Sequence, residues 1–236
     1  MRKCIDVHTH SCLSPCASDD MIPAVIAIEA LDKGIDILAL TDHNSTRNLP
    51  AFSQACEIAG ITPIFGIETT TIEEIHLLSL FKTLEEAMDF GTWIESLLPP
   101  LKNNSRLFGH ELVVDVEGEV LEELDLFLYG PADISYDELV LKSLNLGALA
   151  IPAHIDRHAN SVISNLGFLP PLPYSAVESI AYPPTVDTGP YTVIQSSDAH
   201  YAEHVGRRRF FIETEKEGFD ALKEALELNA VTMLQS

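Results

Sequence analysis

The 236-residue sequence has few basic residues and no long apolar run. Lysine and arginine number 14 against 36 acidic residues, which gives a formal net charge of −22. A surplus of negative charge repels polyanions, so we expect no duplex nucleic acid as a partner. No stretch approaches the roughly 18 apolar residues of a spanning helix. No apolar signal region follows Met1, so we expect a cytoplasmic protein without a membrane partner.

Cysteine is also scarce, and its spacing carries no disulfide signature. The four cysteines, Cys4, Cys12, Cys16 and Cys56, form no C-x-x-C pair. This pattern favours reduced thiols over a disulfide framework. A hydrophobic content of 46% with 12 glycines and 14 prolines is typical of a packed globular protein and excludes a disordered or collagen-like chain. The sequence leaves the oligomeric state unknown.

Short apolar runs alternate with helical patterns along the whole chain. The predicted strands are 4–7, 35–40, 61–67, 75–81, 148–151, 176–180, 191–195, 210–213 and 231–234. The alternation favours βαβ units with a parallel sheet, and the length suits an α/β barrel of one domain over residues 1–236. Residues 99–131 are acidic and polar, and we interpret them as an insertion or cover segment within that domain.

Five of these strands run into residue types that bind metal ions. The strand-end segments are Asp6–His10, Thr41–Asn44, Gly66–Glu68, Pro152–His154 and Ser196–His200. Because the carboxyl ends of parallel strands lie on one face, these residues are expected to converge, with His76 beside them. Any one histidine taken alone is more readily explained as a hydrogen-bonded core residue, but their recurrence favours a metal site. Neutral imidazoles with carboxylates suit Zn²⁺, Fe²⁺ or Mn²⁺, and the ligands are numerous enough for two to three divalent ions.

The order of these motifs resembles that of the PHP family, named for polymerase and histidinol phosphatase. The shared motifs, from His8 to His200, are H-x-H, T-D-H-N, G-x-E with a later histidine, P-A-H and S-D-A-H. The chain looks most like the stand-alone PHP proteins known as metal-dependent phosphoesterases. The resemblance implies a distorted (β/α)7 barrel with a trinuclear metal centre at the carboxyl ends of the strands.

The resemblance also implies a division of the metal ligands among the three ions. One metal would be held by His8, His10, Glu68 and Asp198. Glu68 would bridge to a second metal bound by His76 and His154, and the third would be held by His43 and His200.

One stretch departs from the family pattern. Many members place an aspartate a few residues after H-x-H as a ligand of the third metal, whereas residues 11–20 here read S-C-L-S-P-C-A-S-D-D. Asp19 is a candidate if the loop folds back. Cys16 is another, and its thiolate would favour zinc or iron over manganese or magnesium. Cys16 is equally well explained as a small buried loop residue.

The chemistry that needs such a cluster is hydrolysis by a metal-bridged hydroxide, and phosphate esters suit it best. Arg157 is a candidate to clamp a phosphate oxygen, with a salt bridge to Asp156 or another acid as the alternative. Asn44 is a candidate substrate contact, Arg157 and His200 are the catalytic candidates, and residues 207–209 are further candidates for the anion site. We therefore predict a phosphoesterase acting on a small phosphorylated metabolite or nucleotide. The alternatives are a PHP-type exonuclease or proofreading-like module and a non-catalytic metal-binding interaction domain.

Overall fold

The computed structural model describes residues 1–233, which form an α/β fold around one curled sheet. The strands in that range are β1 (Arg2–Asp6), β2 (Ile37–Leu40), β3 (Thr62–Thr70), β4 (His76–Phe81), β5 (Leu112–Val114), β6 (Val120–Glu123), β7 (Leu149–Pro152), β8 (Val177–Glu178), β9 (Val193–Ile194), β10 (Phe210–Glu213) and β11 (Val231–Met233). The α-helices are α1 (Pro23–Asp32), α2 (Leu49–Ala59), α3 (Leu84–Leu97), α4 (Ser105–Phe108), α5 (Tyr136–Asn145), α6 (Val162–Leu166) and α7 (Gly218–Glu227).

Seven strands form the main sheet, in the order β11-β10-β1-β2-β3-β4-β7. Strands β1, β2 and β3 run parallel, and β8 and β9 form a separate parallel pair. The chain after β9 is tied to the chain after β1, because Asp198 N donates to His8 O at 2.9 Å and His10 N donates to Ala199 O at 3.0 Å. This curled α/β architecture confirms the predicted distorted-barrel fold class.

The expectation of a parallel sheet is wrong for two of its strands. Strand β4 is antiparallel to both β3 and β7, and β10 is antiparallel to β1. Only residues 71–75 separate β3 from β4, and such a short connection cannot make the crossover that a parallel pair requires. Strand β4 therefore begins at the edge where β1, β2 and β3 end. Its first residue, His76, is placed at that edge by the start of a strand.

Apolar side chains pack on both faces of the sheet. On one face, Ile5, Ile37 and Leu78 belong to a buried cluster with Phe219 and Leu222 of α7. On the other face, a larger cluster joins the strands to the helices and includes Leu38, Leu40, Phe52, Phe65, Phe81 and Phe90. Packing on both faces fixes the strands, and hence the positions of the residues at their ends.

Residues 99–131 contain α4 and the β5–β6 hairpin, and two asparagines after β2 bind this segment. The Asn48 side chain donates to Leu112 O at 3.0 Å and accepts from Val114 N at 3.0 Å. The Asn44 side chain donates to Leu128 O at 2.7 Å and to Gly130 O at 2.8 Å. The segment therefore lies against the edge of the sheet where β2 ends.

Three sequence expectations concern the last strand, the number of domains and membrane-spanning helices. Of the predicted strand 231–234, Val231–Met233 is β11, and Leu234 lies outside the described residues. The single-domain interpretation of residues 1–236 stays a prediction. Within residues 1–233, no helix combines the length and apolarity needed to cross a membrane.

Candidate metal centre

Eight of the predicted ligands meet at one edge of the sheet. They come from six different places in the fold, because each follows, lies in or begins a strand. His8 and His10 follow β1, His43 follows β2, Glu68 lies in β3, His76 begins β4, His154 follows β7, and Asp198 and His200 follow β9. All but His200 are buried.

The carboxylate of Glu68 is the centre of this group, with five imidazoles around it. The nitrogen–oxygen distances are 2.9 Å to His76 Nδ1, 3.1 Å to His43 Nδ1, 3.2 Å to His154 Nε2, and 3.3 Å to the Nε2 atoms of both His8 and His10. His76, His154 and His8 approach Oε1, whereas His43 and His10 approach Oε2. The two oxygens of one carboxylate thus face different sets of imidazoles, as a bridging ligand requires.

The donor set fits divalent metal ions. Three groups have ligand atoms that lie within 4.8 Å of one another: His10, His43 and His200; His8, His10 and Asp198; His43, Glu68 and His76. Among the described residues, His43 Nδ1 and Glu68 Oε2 are buried and have no hydrogen-bond partner, although they lie 3.1 Å apart. Unpaired buried polar atoms are costly unless another group, such as a cation, satisfies them.

The facing nitrogens of His8 and His10 point to the same conclusion. Their Nε2 atoms are only 3.1 Å apart. Each ring's other nitrogen is already engaged, since His8 Nδ1 contacts Glu178 and His10 Nδ1 lies 3.1 Å from Ser14 Oγ. If both Nδ1 atoms carry the proton, two lone pairs face each other, and a shared cation relieves their repulsion.

The cluster combines an ionised carboxylate with imidazoles whose pKa values are shifted in both directions. Burial would raise the pKa of Glu68, but His76, His8 and His43 around it hold that pKa well below its ordinary value. Burial lowers the pKa of His43 well below its ordinary value and lowers the pKa of His200 to about 3. At His8 and His10 burial also lowers the pKa, but carboxylates outweigh it: Glu178, Glu68 and Asp198 raise the pKa of His8 well above its ordinary value, and Asp198 and Glu68 raise that of His10 to about 8. Since imidazoles bind metals in the neutral form, an ion at this cluster would displace protons from His8 and His10 but not from His43 and His200.

The backbone at three of the strand ends is unusual. Asn44, His154 and Asp198 have φ values of 50°, 33° and 49°, in the left-handed region that non-glycine residues seldom adopt. Such strain tends to persist at functional sites, where the surrounding structure holds it in place.

Cys16 and Asp19, the two candidate ligands in the stretch that departs from the family pattern, lie in different places. Cys16 lines a cavity of about 280 Å³ together with His43, Glu68 and His200. Burial raises the pKa of the Cys16 thiol, and the nearby negative charge of Glu68 raises it further. Asp19 is exposed, and its carboxylate lies 3.9 Å from His110 Nδ1. The loop therefore brings Cys16 to the cluster and leaves Asp19 at the surface.

The two candidate substrate contacts, Arg157 and Asn44, also lie in different environments. Arg157 lines the same cavity, its side chain is 42% exposed, and its Nη1 lies 3.3 Å from Asp198 Oδ2. Asp198, not Asp156, is thus its acidic partner. Asn44 is fully buried, and its side chain bonds the backbone of Leu128, Gly130 and Thr70, so it is not placed to meet a substrate.

The arginines after His200 are held mainly by backbone carbonyls. Arg207 donates to Ser197 O at 2.7 Å, and Arg208 donates to Ser196 O at 3.0 Å. Of residues 207–209, only Arg207 is among the residues that line the cavity. His204 lines it too.

Several side chains that support the ligands were not predicted from the sequence. Glu178 contacts His8, and the fully buried Asp42 accepts hydrogen bonds from Ser11 and Ser14. Asp42 lies within the T-D-H-N motif, so its position was visible in the sequence, but its role was not. Tyr129, from the 99–131 segment, lines the cavity with its ring centroid 5.2 Å from that of His43.

Comparison with known proteins identifies a family and several relatives. The sequence profile of the PHP domain matches residues 6–217. A stretch of 91 residues is 32% identical to the PolC-type DNA polymerase III of Thermotoga maritima, covering 38% of this chain and 6% of the polymerase. The chain thus spans only a small part of that relative's length.

Solved structures share the fold at low identity. The lesion-specific endonuclease Q of Pyrococcus furiosus is 18% identical with a TM-score of 0.71, over 99% of this chain and 58% of that one. A Bifidobacterium adolescentis protein provisionally described as a metal-dependent phosphoesterase is 14% identical with a TM-score of 0.57, over 96% of both chains. At such identities the likeness establishes the fold alone.

The expectation that net charge excludes duplex nucleic acid is wrong. Endonuclease Q, which has this fold, was solved with a 27-mer duplex whose abasic lesion lies at the active site; this structure gives a TM-score of 0.70 at 18% identity, over 96% of this chain and 57% of that one. Net charge sums over the whole surface, whereas binding depends on the local field around a cleft. The formal charge of −22 therefore cannot exclude this class of partner.

Proposed function

The chain belongs to the PHP domain family, and on this basis we propose that it is a metal-dependent phosphoesterase that hydrolyses a phosphate ester of a small metabolite or nucleotide. One observation carries the proposal. The buried imidazoles and carboxylates around Glu68 adjoin a cavity of about 280 Å³ that is also lined by the guanidinium-bearing Arg157 and Arg207. Metal ligands and arginines are the groups that recognise a phosphoryl centre, and both line this cavity.

In this proposal the eight clustered ligands hold two to three divalent ions, of which zinc, iron and manganese suit the donors. His8, His10 and Asp198 form one ligand group with Glu68 beside them. The second set is supported by the approach of His76 and His154 to the same oxygen of Glu68. The third consists of His43 and His200, which share a ligand group with His10, and Cys16 lines the cavity near them.

When bound, such ions supply Lewis acidity and lower the pKa of a water molecule enough for it to attack at neutral pH. The chain's own residues bind and orient the ester. Arg157 is half-exposed at the cavity and can turn from Asp198 to a non-bridging phosphate oxygen. His200 is the most exposed of the clustered imidazoles, with 19% of its side chain accessible, so it is the one placed to meet the substrate.

A nucleic-acid phosphodiester is the second candidate substrate. Two proteins that resemble this chain, a PolC-type DNA polymerase III and the lesion-specific endonuclease Q, are DNA enzymes as their names state, and the endonuclease aligns with 99% of this chain. A phosphodiester presents the same phosphoryl centre to the same metal ligands. The two candidate substrates therefore differ in the groups attached to the phosphate, which must fit around the cavity.

The test is a hydrolysis screen of protein loaded separately with zinc, iron and manganese. The substrates are p-nitrophenyl phosphate, bis-p-nitrophenyl phosphate, nucleoside monophosphates and a duplex oligonucleotide with an abasic site. We expect hydrolysis of at least one class, its loss in Glu68→Ala, and its retention in His110→Ala, a matched control at an exposed histidine. Metal-loaded protein that cleaves none of these substrates would contradict the proposal.

A further inference from the structure

Glu178 is a buried carboxylate whose polar contacts include two of the proposed ligands. It ends β8, and its side chain is 3% exposed. Its oxygens lie 3.1 Å and 3.0 Å from His8 Nδ1, and its Oε2 accepts from His154 N at 2.9 Å. One side chain from β8 thus joins the ends of β1 and β7.

The contact with His8 determines which ring nitrogen carries a proton. An ionised carboxylate only accepts hydrogen bonds, so Nδ1 must donate to Glu178. In the neutral ring, the form that binds metals, Nε2 then keeps its lone pair, and this atom lies 3.3 Å from Glu68 Oε1 and 3.5 Å from Asp198 Oδ1. A carboxylate behind a ligating histidine fixes the ring's tautomer and orientation and raises its basicity.

The contact with His154 acts on the backbone. His154 has a φ of 33°, and its N–H is held by the carboxylate of Glu178. The next residue is also tied to Glu178, since Ile155 N donates to Glu178 O at 2.8 Å. These bonds hold the turn that aims the His154 ring at Glu68, 3.2 Å away.

We propose that Glu178 is a positioning residue of the metal centre, which presents His8 Nε2 to a metal ion and fixes the turn that carries His154. The inference rests on the metal centre of the proposed function, but not on the identity of the ester. It extends the centre to a residue that no strand-end motif indicated.

The first test measures zinc affinity by competition with a chromophoric chelator in Glu178→Gln. The amide keeps the size of the side chain but has one acceptor for two N–H donors, and its NH₂ group faces one of them. We expect zinc binding to weaken 10- to 100-fold, the usual effect of losing such a partner. Glu111→Gln is the matched control, because Glu111 is equally buried and contacts Leu128 N instead of a ligand, and its zinc affinity should not change.

A second measurement needs no variant and covers the case in which Glu178→Gln does not fold. Long-range ¹⁵N–¹H correlation spectra of the zinc-loaded protein report the tautomer of each histidine, and we expect His8 to be protonated at Nδ1. A His8 protonated at Nε2, or wild-type zinc affinity in a folded Glu178→Gln variant, overturns the inference. Weakened zinc binding in a protein that cleaves no ester supports the role of Glu178 and contradicts the phosphoesterase.

Discussion

Replacing Glu111 by glutamine should stabilise the protein at alkaline pH. Glu111 is 0% exposed and lies in the segment that runs beside the metal centre. Its Oε1 accepts from Leu128 N at 2.8 Å, whereas its Oε2 has no hydrogen-bond partner within residues 1–233. Burial raises its pKa from an ordinary 4.5 to about 8. The folded protein therefore prefers Glu111 neutral, a state that glutamine imitates at every pH.

The size of the effect follows from that pKa. Because the folded state binds this proton more tightly than the unfolded chain, the stabilisation is complete below pH 4.5 and is lost as the pH rises to about 8. At about 1.4 kcal/mol for each pH unit, the loss is at most about 5 kcal/mol. Glu111→Gln lacks this loss, so the variant should match the wild type near pH 4.5 and exceed its stability by several kcal/mol at pH 9.

The assay is urea unfolding of metal-depleted protein from pH 5 to pH 9, followed by circular dichroism. All other titrating groups are shared, so their contributions cancel in the difference between the two proteins. Glu117→Gln is the control, because Glu117 is exposed in the same segment and should leave the pH profile unchanged. Identical pH dependence in wild type and Glu111→Gln would refute the reasoning.

Three further predictions concern the site itself. Dialysis against a chelator should abolish ester hydrolysis, and zinc, iron or manganese should restore it; activity that persists in metal-free protein would contradict the metal centre. Arg157→Ala should lower kcat/KM about 10- to 100-fold with metal content unchanged, and Arg157→Lys should recover only part because an ammonium cannot form the two-pronged contact; wild-type kinetics would place the anion contact elsewhere. Asn44→Ala should destabilise the protein by about 3 kcal/mol in urea unfolding, since three buried backbone partners lose their hydrogen bonds. Stability near that of the wild type would show that water replaces these bonds.

The sequence by itself determined the class of fold and the location of the candidate site. Apolar runs of strand length, such as residues 210–213, are local features that the structure reproduces. The ligand types at strand ends were equally readable, because a strand's end and the residue that follows it are neighbours in the chain. His8, His43 and His154 meet because each follows a strand that ends at the same edge.

Only the tertiary structure decided how distant segments pair. The reversal of β4 brings His76 to the site from the start of a strand, and the loop after His10 presents Cys16 while leaving Asp19 in solvent. Glu178 lies 170 residues from the histidine that it contacts. Periodicity and motif spacing encode which face of an element is buried, but they carry no information about which buried carboxylate meets which imidazole. Long-range packing determines these pairs, because each buried polar group needs a hydrogen-bond partner and burial leaves few within reach.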